Sequence, residues 1–139
     1  MNRRQTIHTL ALTLGLVLGS ARAPAAPARR SADVVREWNT SALDAVRTTR
    51  ASDAQAARLY AMLNVAMYDA VNGILWQRGR QRDHALVPPN GAPRQGDLVA
   101  AAAAAAHGVL VAAVPAEQAQ LDAQLASDLS ALGNNGSVS

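Results

Sequence analysis

One stretch limits the possible folds of this chain more than any other. Leu98 to Val114 carries no charged residue and contains seven consecutive alanines, Ala100–Ala106. Alanine is the strongest helix former, and no proline interrupts the stretch before Pro115. Because alanine buries little apolar area, such a helix is stable only where other helices approach it closely. The chain is therefore expected to form closely packed α-helices around a thin core.

Two helices are predicted before this stretch. The first runs from Ser31 to about Thr48 and is amphipathic. Its apolar stripe consists of Val35, Trp38, Ala42 and Val46. The second runs from Asp53 to about Leu75 and opens with Ser52 and Gln55. This pair has the spacing of a capping box, in which each residue's side chain bonds the other's backbone N–H at a helix start.

Residues 76–96 contain glycines, prolines and Asn90, and this composition predicts a long loop. The alanine-rich helix follows from near Asp97 and ends at Pro115. A fourth helix is predicted from about Ala116 to Leu132, with Gly133 as its C-cap and a polar tail after it. Its apolar stripe consists of Leu121, Leu125, Leu129 and Leu132. The predicted fold class is all-α, a partial bundle of about four helices with a long loop between the second and third.

The second helix is apolar on nearly every side. We expect it in the middle of the protein, with Arg58, Asp69 and Asn72 as a polar edge and Asn64 inside the apolar arc. Asn64 and Asp69 point about 140° apart and cannot share one small site. The pattern favours a hydrogen bond from Asn64 across a helix contact, with Asp69 facing an arginine or solvent.

Residues 1–28 have the pattern of a signal peptide followed by a linker. Arg3 and Arg4 precede an apolar stretch from about Thr9 to Gly19, and small residues follow. About 11 apolar residues are too few to span ~30 Å of hydrocarbon, which argues against a membrane anchor. Cleavage is expected after Ala25 or Ala28, and the paired arginines also suggest twin-arginine export. We expect an exported protein, periplasmic or extracellular, whose remaining segment is residues 29–139.

Charge does not point to a nucleic-acid partner. The net charge is +3, and the three arginines among the first 28 residues account for all of it. The one basic cluster, Arg78, Arg80 and Arg82, falls in the predicted loop, where surface charge is the common explanation. The uncharged stretch before Pro115 is short for a membrane span and is interrupted by His107, so a buried bundle helix is the better interpretation. We expect no nucleic-acid partner and no stable membrane span.

No group of residues meets the requirements of a catalytic or metal site. Cysteine is absent, which excludes disulfides, thiol catalysis and cysteine-based zinc sites. His8 falls in the predicted signal peptide, and His84 lies beside Asp83 in the loop. His107 stands alone on an apolar helix, where a hydrogen-bonded core histidine is the common case. A metal site needs three or four convergent ligands, so we predict no catalytic, cofactor-binding or metal-binding residue.

Residues 34–74 contain "EWN" and "MYDAVN", and a later helix contains "HGVL". With the surrounding hydrophobic pattern, these segments resemble the opening helices of exported vanadium-dependent haloperoxidases, which share a fold with type 2 phosphatidic-acid phosphatases. The resemblance covers most of residues 34–129. It implies a helical N-terminal segment of a protein that oxidises halides or hydrolyses phosphomonoesters.

The same family holds vanadate or phosphate with a lysine, two arginines and backbone amides beside an S-G-H segment, and a further histidine bonds the oxyanion. This sequence has no lysine and no S-G-H, so no catalytic residue is carried over and no cofactor is expected in this chain. The chain resembles the front part of such a protein and ends before the active site. We therefore expect that it either self-associates or is completed by a C-terminal half. The alternative is a small secreted helical protein that binds a partner through exposed apolar helix faces.

Overall fold

The computed structural model describes residues 27–80, 86 and 91–135 of the chain. In this part there are four α-helices and no strands, so the all-α prediction is confirmed. The helices are α1 (Pro27–Thr49), α2 (Asp53–Gln77), α3 (Leu98–Ala113) and α4 (Gln118–Asn135), with a 3₁₀ turn at Pro115–Glu117. The predicted signal peptide lies outside the described residues, except that α1 already includes residues 27 and 28.

The ends of the helices follow local chemistry in most places. Helix α1 begins at Pro27, earlier than the predicted Ser31, because the fixed φ of proline suits a first helical turn. The capping box at the start of α2 is confirmed, with the Ser52 backbone N–H donating to Gln55 Oε1 at 2.9 Å. The prediction that Gly133 ends α4 is wrong, since the helix continues to Asn135. Glycine inside a helix costs only about 1 kcal/mol and does not force an end.

The alanine-rich α3 occupies the middle of the bundle and packs against α1, α2 and α4. Ala102, Ala103 and Ala106 are buried there, because a methyl side chain lets neighbouring helices approach on several sides. The other described helices do not cover α2 on every side. Helix α2 packs on α3 and α1 along one side and leaves another side exposed. In the described residues, no helix is both long and apolar enough to cross a bilayer.

The core forms around Trp38, which is fully buried on α1. Among the described residues, five of the thirteen buried hydrophobic side chains are alanines, which confirms the thin core expected from composition. The buried stripe of α1 differs from the predicted one: Val35 is exposed and Val46 only partly buried. The buried stripe of α1 consists of Val34, Trp38, Ala42 and Ala45. Ala45 takes a core position because its small side chain fits close to a neighbouring helix.

Helix α4 buries its leucine stripe only at its beginning. Leu121 is buried and Leu125 is packed against the core, whereas Leu129 is 43% exposed. The predicted stripe therefore exists, although Leu129 lies at the surface and Leu132 is only partly buried.

The segment before α3 is fastened to the end of α2 by Arg78. Its Nε donates to the backbone carbonyl of Arg94 at 2.9 Å, and its Nη2 donates to that of Gly96 at 2.6 Å. Gly96 lies so close to α2 that a Cβ there would stand 2.7 Å from Ile74 Cδ1. Arg78, predicted as a member of a basic surface cluster, is thus a structural donor that holds two chain segments together.

Candidate functional site

Asn64 forms a reciprocal amide pair with Asn39 across the contact between α1 and α2. Asn64 Nδ2 donates to Asn39 Oδ1 at 3.0 Å, and Asn39 Nδ2 donates to Asn64 Oδ1 at 3.2 Å. The Nδ2 groups also donate to the carbonyls one turn back on their own helices. The predicted role of Asn64 is confirmed: it bridges two helices. Its partner was missed, because nothing local in the sequence distinguishes Asn39 from a surface asparagine.

Asp69 accepts a hydrogen bond at Oδ1 from the backbone N–H of Leu86 at 2.8 Å. The chain after α2 therefore returns to this side of the helix, a contact that spacing along the helix could not indicate. Asn72, one turn further on, is buried, which corrects its assignment to a polar edge. Its Nδ2 is buried without a hydrogen-bond partner. A buried amide hydrogen without an acceptor destabilises the fold, so Asn72 is the least satisfied polar group in the described core.

His107 is a hydrogen-bonded histidine at the edge of the core, as its isolation on an apolar helix predicts. Its Nε2 lies 2.6 Å from Asp122 Oδ1 on α4, and 21% of its side chain is exposed. Its ring meets the edge of Trp38, with 6.2 Å between centroids and 89° between planes. These contacts tie α3 to α1 and α4. They give the histidine a structural role between three helices.

Two more hydrogen bonds attach α4 to α1. Trp38 Nε1 donates to Asp128 Oδ2 at 2.9 Å, and Ser41 Oγ donates to Gln124 Oε1 at 2.7 Å. Local sequence patterns do not indicate these acceptors, because each lies more than eighty positions from its donor. Helix α4 therefore reaches its place through paired polar contacts as well as through Leu121.

The most unusual surface of the molecule is one side of α2, which we call the α2 outer surface and define as Val65, Tyr68, Leu75 and Trp76. These residues fall within about 100° around the helix, an arc that also contains the buried Asn72, and Val65 and Leu75 are partly buried. Tyr68 is 43% exposed and Trp76 is 57% exposed, while the opposite side of α2 buries Leu63 and Met67. Large aromatic side chains grouped on an exposed helix side are typical of interaction surfaces.

A second apolar feature is a groove of about 620 Å³ where α2, α3 and α4 meet. Ile74 of α2 and Leu129 of α4 contribute to its walls. Its remaining lining includes four alanines of α3: Ala100, Ala101, Ala104 and Ala105. Small side chains at such a position allow the backbone of another helix to come close.

No group of three metal-ligating side chains converges among the residues that the structure describes. His8, His84 and Arg82 lie outside those residues. No protein-family model, curated protein or solved structure matches this chain. The resemblance to the haloperoxidase family therefore stays a prediction from the sequence.

Proposed function

We propose that this chain is an exported helix-packing module, the helical front part of a haloperoxidase- or phosphatase-like protein, and that its α2 outer surface binds a further α-helix. The observation that carries the proposal is the exposure of Tyr68 and Trp76 on one side of a helix whose other side is packed. An apolar helix side is normally covered in the working protein. The alanine-lined groove on the opposite side of α2 supports the same role, since it offers a second place for a helix to lie.

The class of protein is proposed from the sequence resemblance, and the role of this chain within it is proposed from the α2 outer surface. In haloperoxidase-like proteins the helices surround an oxyanion held by several fixed cations and amides. This sequence contains no lysine and no S-G-H segment. In this proposal the helices provide a packing surface, and residues in the remainder of the parent protein bind the oxyanion. The chain by itself is expected to give no vanadate-dependent bromide oxidation and no phosphatase activity. Bromide oxidation clearly above the buffer rate would overturn this expectation.

The binding surface is tested by placing charges on it. The double variant Tyr68→Glu, Trp76→Glu should abolish self-association in sedimentation velocity and reduce the fluorescence of a dye that reports exposed apolar surface. The physical reason is that two carboxylates cannot be buried in an apolar contact without large desolvation cost. The matched control, Gln118→Glu with Gln120→Glu on the exposed side of α4, adds the same charge and should change neither signal. A wild-type chain that is a strict monomer and binds no dye would contradict the proposal.

A second candidate is a self-contained secreted binding protein, and the closed core around Trp38 favours it. Three helices meet at this fully buried side chain, so the bundle has a core of its own. The two candidates differ in what the gene encodes after Ser139. Lysine and S-G-H codons downstream, in any frame, would favour the haloperoxidase-like parent. Their absence, together with a sharp cooperative melt of the chain alone, would favour the self-contained protein.

A further inference from the structure

A cavity of about 310 Å³ opens at the end of the bundle where α1 leads into α2 and α3 ends. Its size is at the lower end of the ~300–1,000 Å³ range of small-molecule sites. Leu59 and Met62 of α2 and Val114 after α3 provide apolar lining. Met62 is 41% exposed, so part of that apolar lining is open to solvent. The cavity lies at the beginning of α2, whereas Tyr68, Leu75 and Trp76 of the α2 outer surface lie in the second half of the helix.

Two polar side chains of the cavity lining form local hydrogen bonds. Thr49 Oγ1 donates to the carbonyl of Ala45, and Gln55 Oε1 accepts from the capping residue Ser52. Arg58 is the charged residue of the lining, and within the described part of the chain it makes no ion pair or side-chain hydrogen bond. This distinguishes it from Arg47, which pairs with an aspartate on its own helix.

A guanidinium beside an apolar cavity matches one class of ligand. Arginine binds carboxylates through two parallel N–H···O hydrogen bonds, which gives direction as well as attraction. A hydrocarbon chain that covers the apolar lining removes it from water, which favours binding. We propose that this cavity binds a small carboxylate with a short apolar chain, the carboxylate on Arg58 and the chain along Leu59, Met62 and Val114. This inference is independent of the helix-binding role proposed above.

The test is a calorimetric titration of the full chain with octanoate, below its micelle-forming concentration. Acetate carries the charge without the chain, and octan-1-ol carries the chain without the charge. Octanoate should bind more tightly than either. Arg58→Gln should weaken octanoate binding about five- to tenfold and leave octan-1-ol unchanged, as expected for the loss of a charged hydrogen bond at an exposed position. The matched control Arg47→Gln, an exposed arginine outside the cavity, should leave octanoate binding unchanged.

A second variant tests the apolar half of the site. Met62→Gln keeps the length of a partly exposed side chain and should weaken octanoate and octan-1-ol alike. The proposal is overturned if octanoate does not bind, or if it binds no more tightly than octan-1-ol. It is also overturned if Arg58→Gln and Arg47→Gln have equal effects. Loss of octanoate binding in the Tyr68→Glu, Trp76→Glu variant would place the ligand on the α2 outer surface and would refute the site proposed here.

Discussion

Replacing Trp38 by phenylalanine removes an indole N–H and several ring atoms from the centre of the bundle. The N–H donates to Asp128 at 2.9 Å, and a hydrogen bond to a carboxylate contributes about 1.5–3 kcal/mol. The lower end applies, because this contact is only partly buried. The smaller ring also leaves a cavity, which at ~24 cal/mol per Å³ adds about 1 kcal/mol. We therefore expect Trp38→Phe to lower the free energy of unfolding by about 2–3 kcal/mol, out of the ~5–15 kcal/mol typical of a domain.

The chain contains its own control, because its other tryptophan lies at the surface. Trp76 is 57% exposed, and Trp76→Phe should change the free energy of unfolding by less than about 0.5 kcal/mol. Both variants are unfolded in urea and followed by circular dichroism at 222 nm, with the slope against urea concentration compared to confirm similar exposed area. Each variant keeps one tryptophan, so its fluorescence reports a single site.

Equal losses for the two variants would refute this account of the core. Should Trp38→Phe fail to fold, Asp128→Asn provides a milder change at the same contact. Its side-chain oxygen still accepts from the indole N–H, so it should cost only about 1 kcal/mol, the difference between a charged and a neutral acceptor. A cost for Asp128→Asn as large as that of removing the indole N–H would mean that Asp128 stabilises the fold through another partner.

Three further changes test local features. Arg50 has φ of 52°, a left-handed conformation that suits glycine, so Arg50→Gly should raise the free energy of unfolding by about 0.5–1 kcal/mol in urea titrations. Ser52→Ala removes the capping box and should lower the free energy of unfolding by about 1 kcal/mol, whereas Ser52→Asp should retain most of the capping contribution. Asn72→Leu removes a buried amide without a partner for its Nδ2 and should raise the midpoint of unfolding; a lower midpoint would show that the amide is satisfied.

Local sequence signals were sufficient where a structure depends on neighbours along the chain. The capping box of Ser52 and Gln55 was predicted from spacing, because its hydrogen bonds close within one turn. The all-α class followed from helical periodicity and the alanine run, since no competing strand pattern exists. The thin core followed from composition, because few large side chains are available to fill it. The hydrogen-bonded state of His107 could also be expected, since a polar ring at an apolar helix must find an acceptor.

Tertiary packing decided which helix lies in the middle and which polar groups meet. The number of apolar residues on α2 suggested a central position, but the methyl side chains of α3 allow three neighbours to approach, so α3 is central. Asn72 has the spacing of an edge residue, because helical spacing does not reveal which positions the folded chain buries. Asp122 and Asp128 contact His107 and Trp38 only because α4 packs against the other helices. Periodicity along a helix shows which residues share a side; the side that becomes buried depends on contacts between distant parts of the chain, and those form only in the folded molecule.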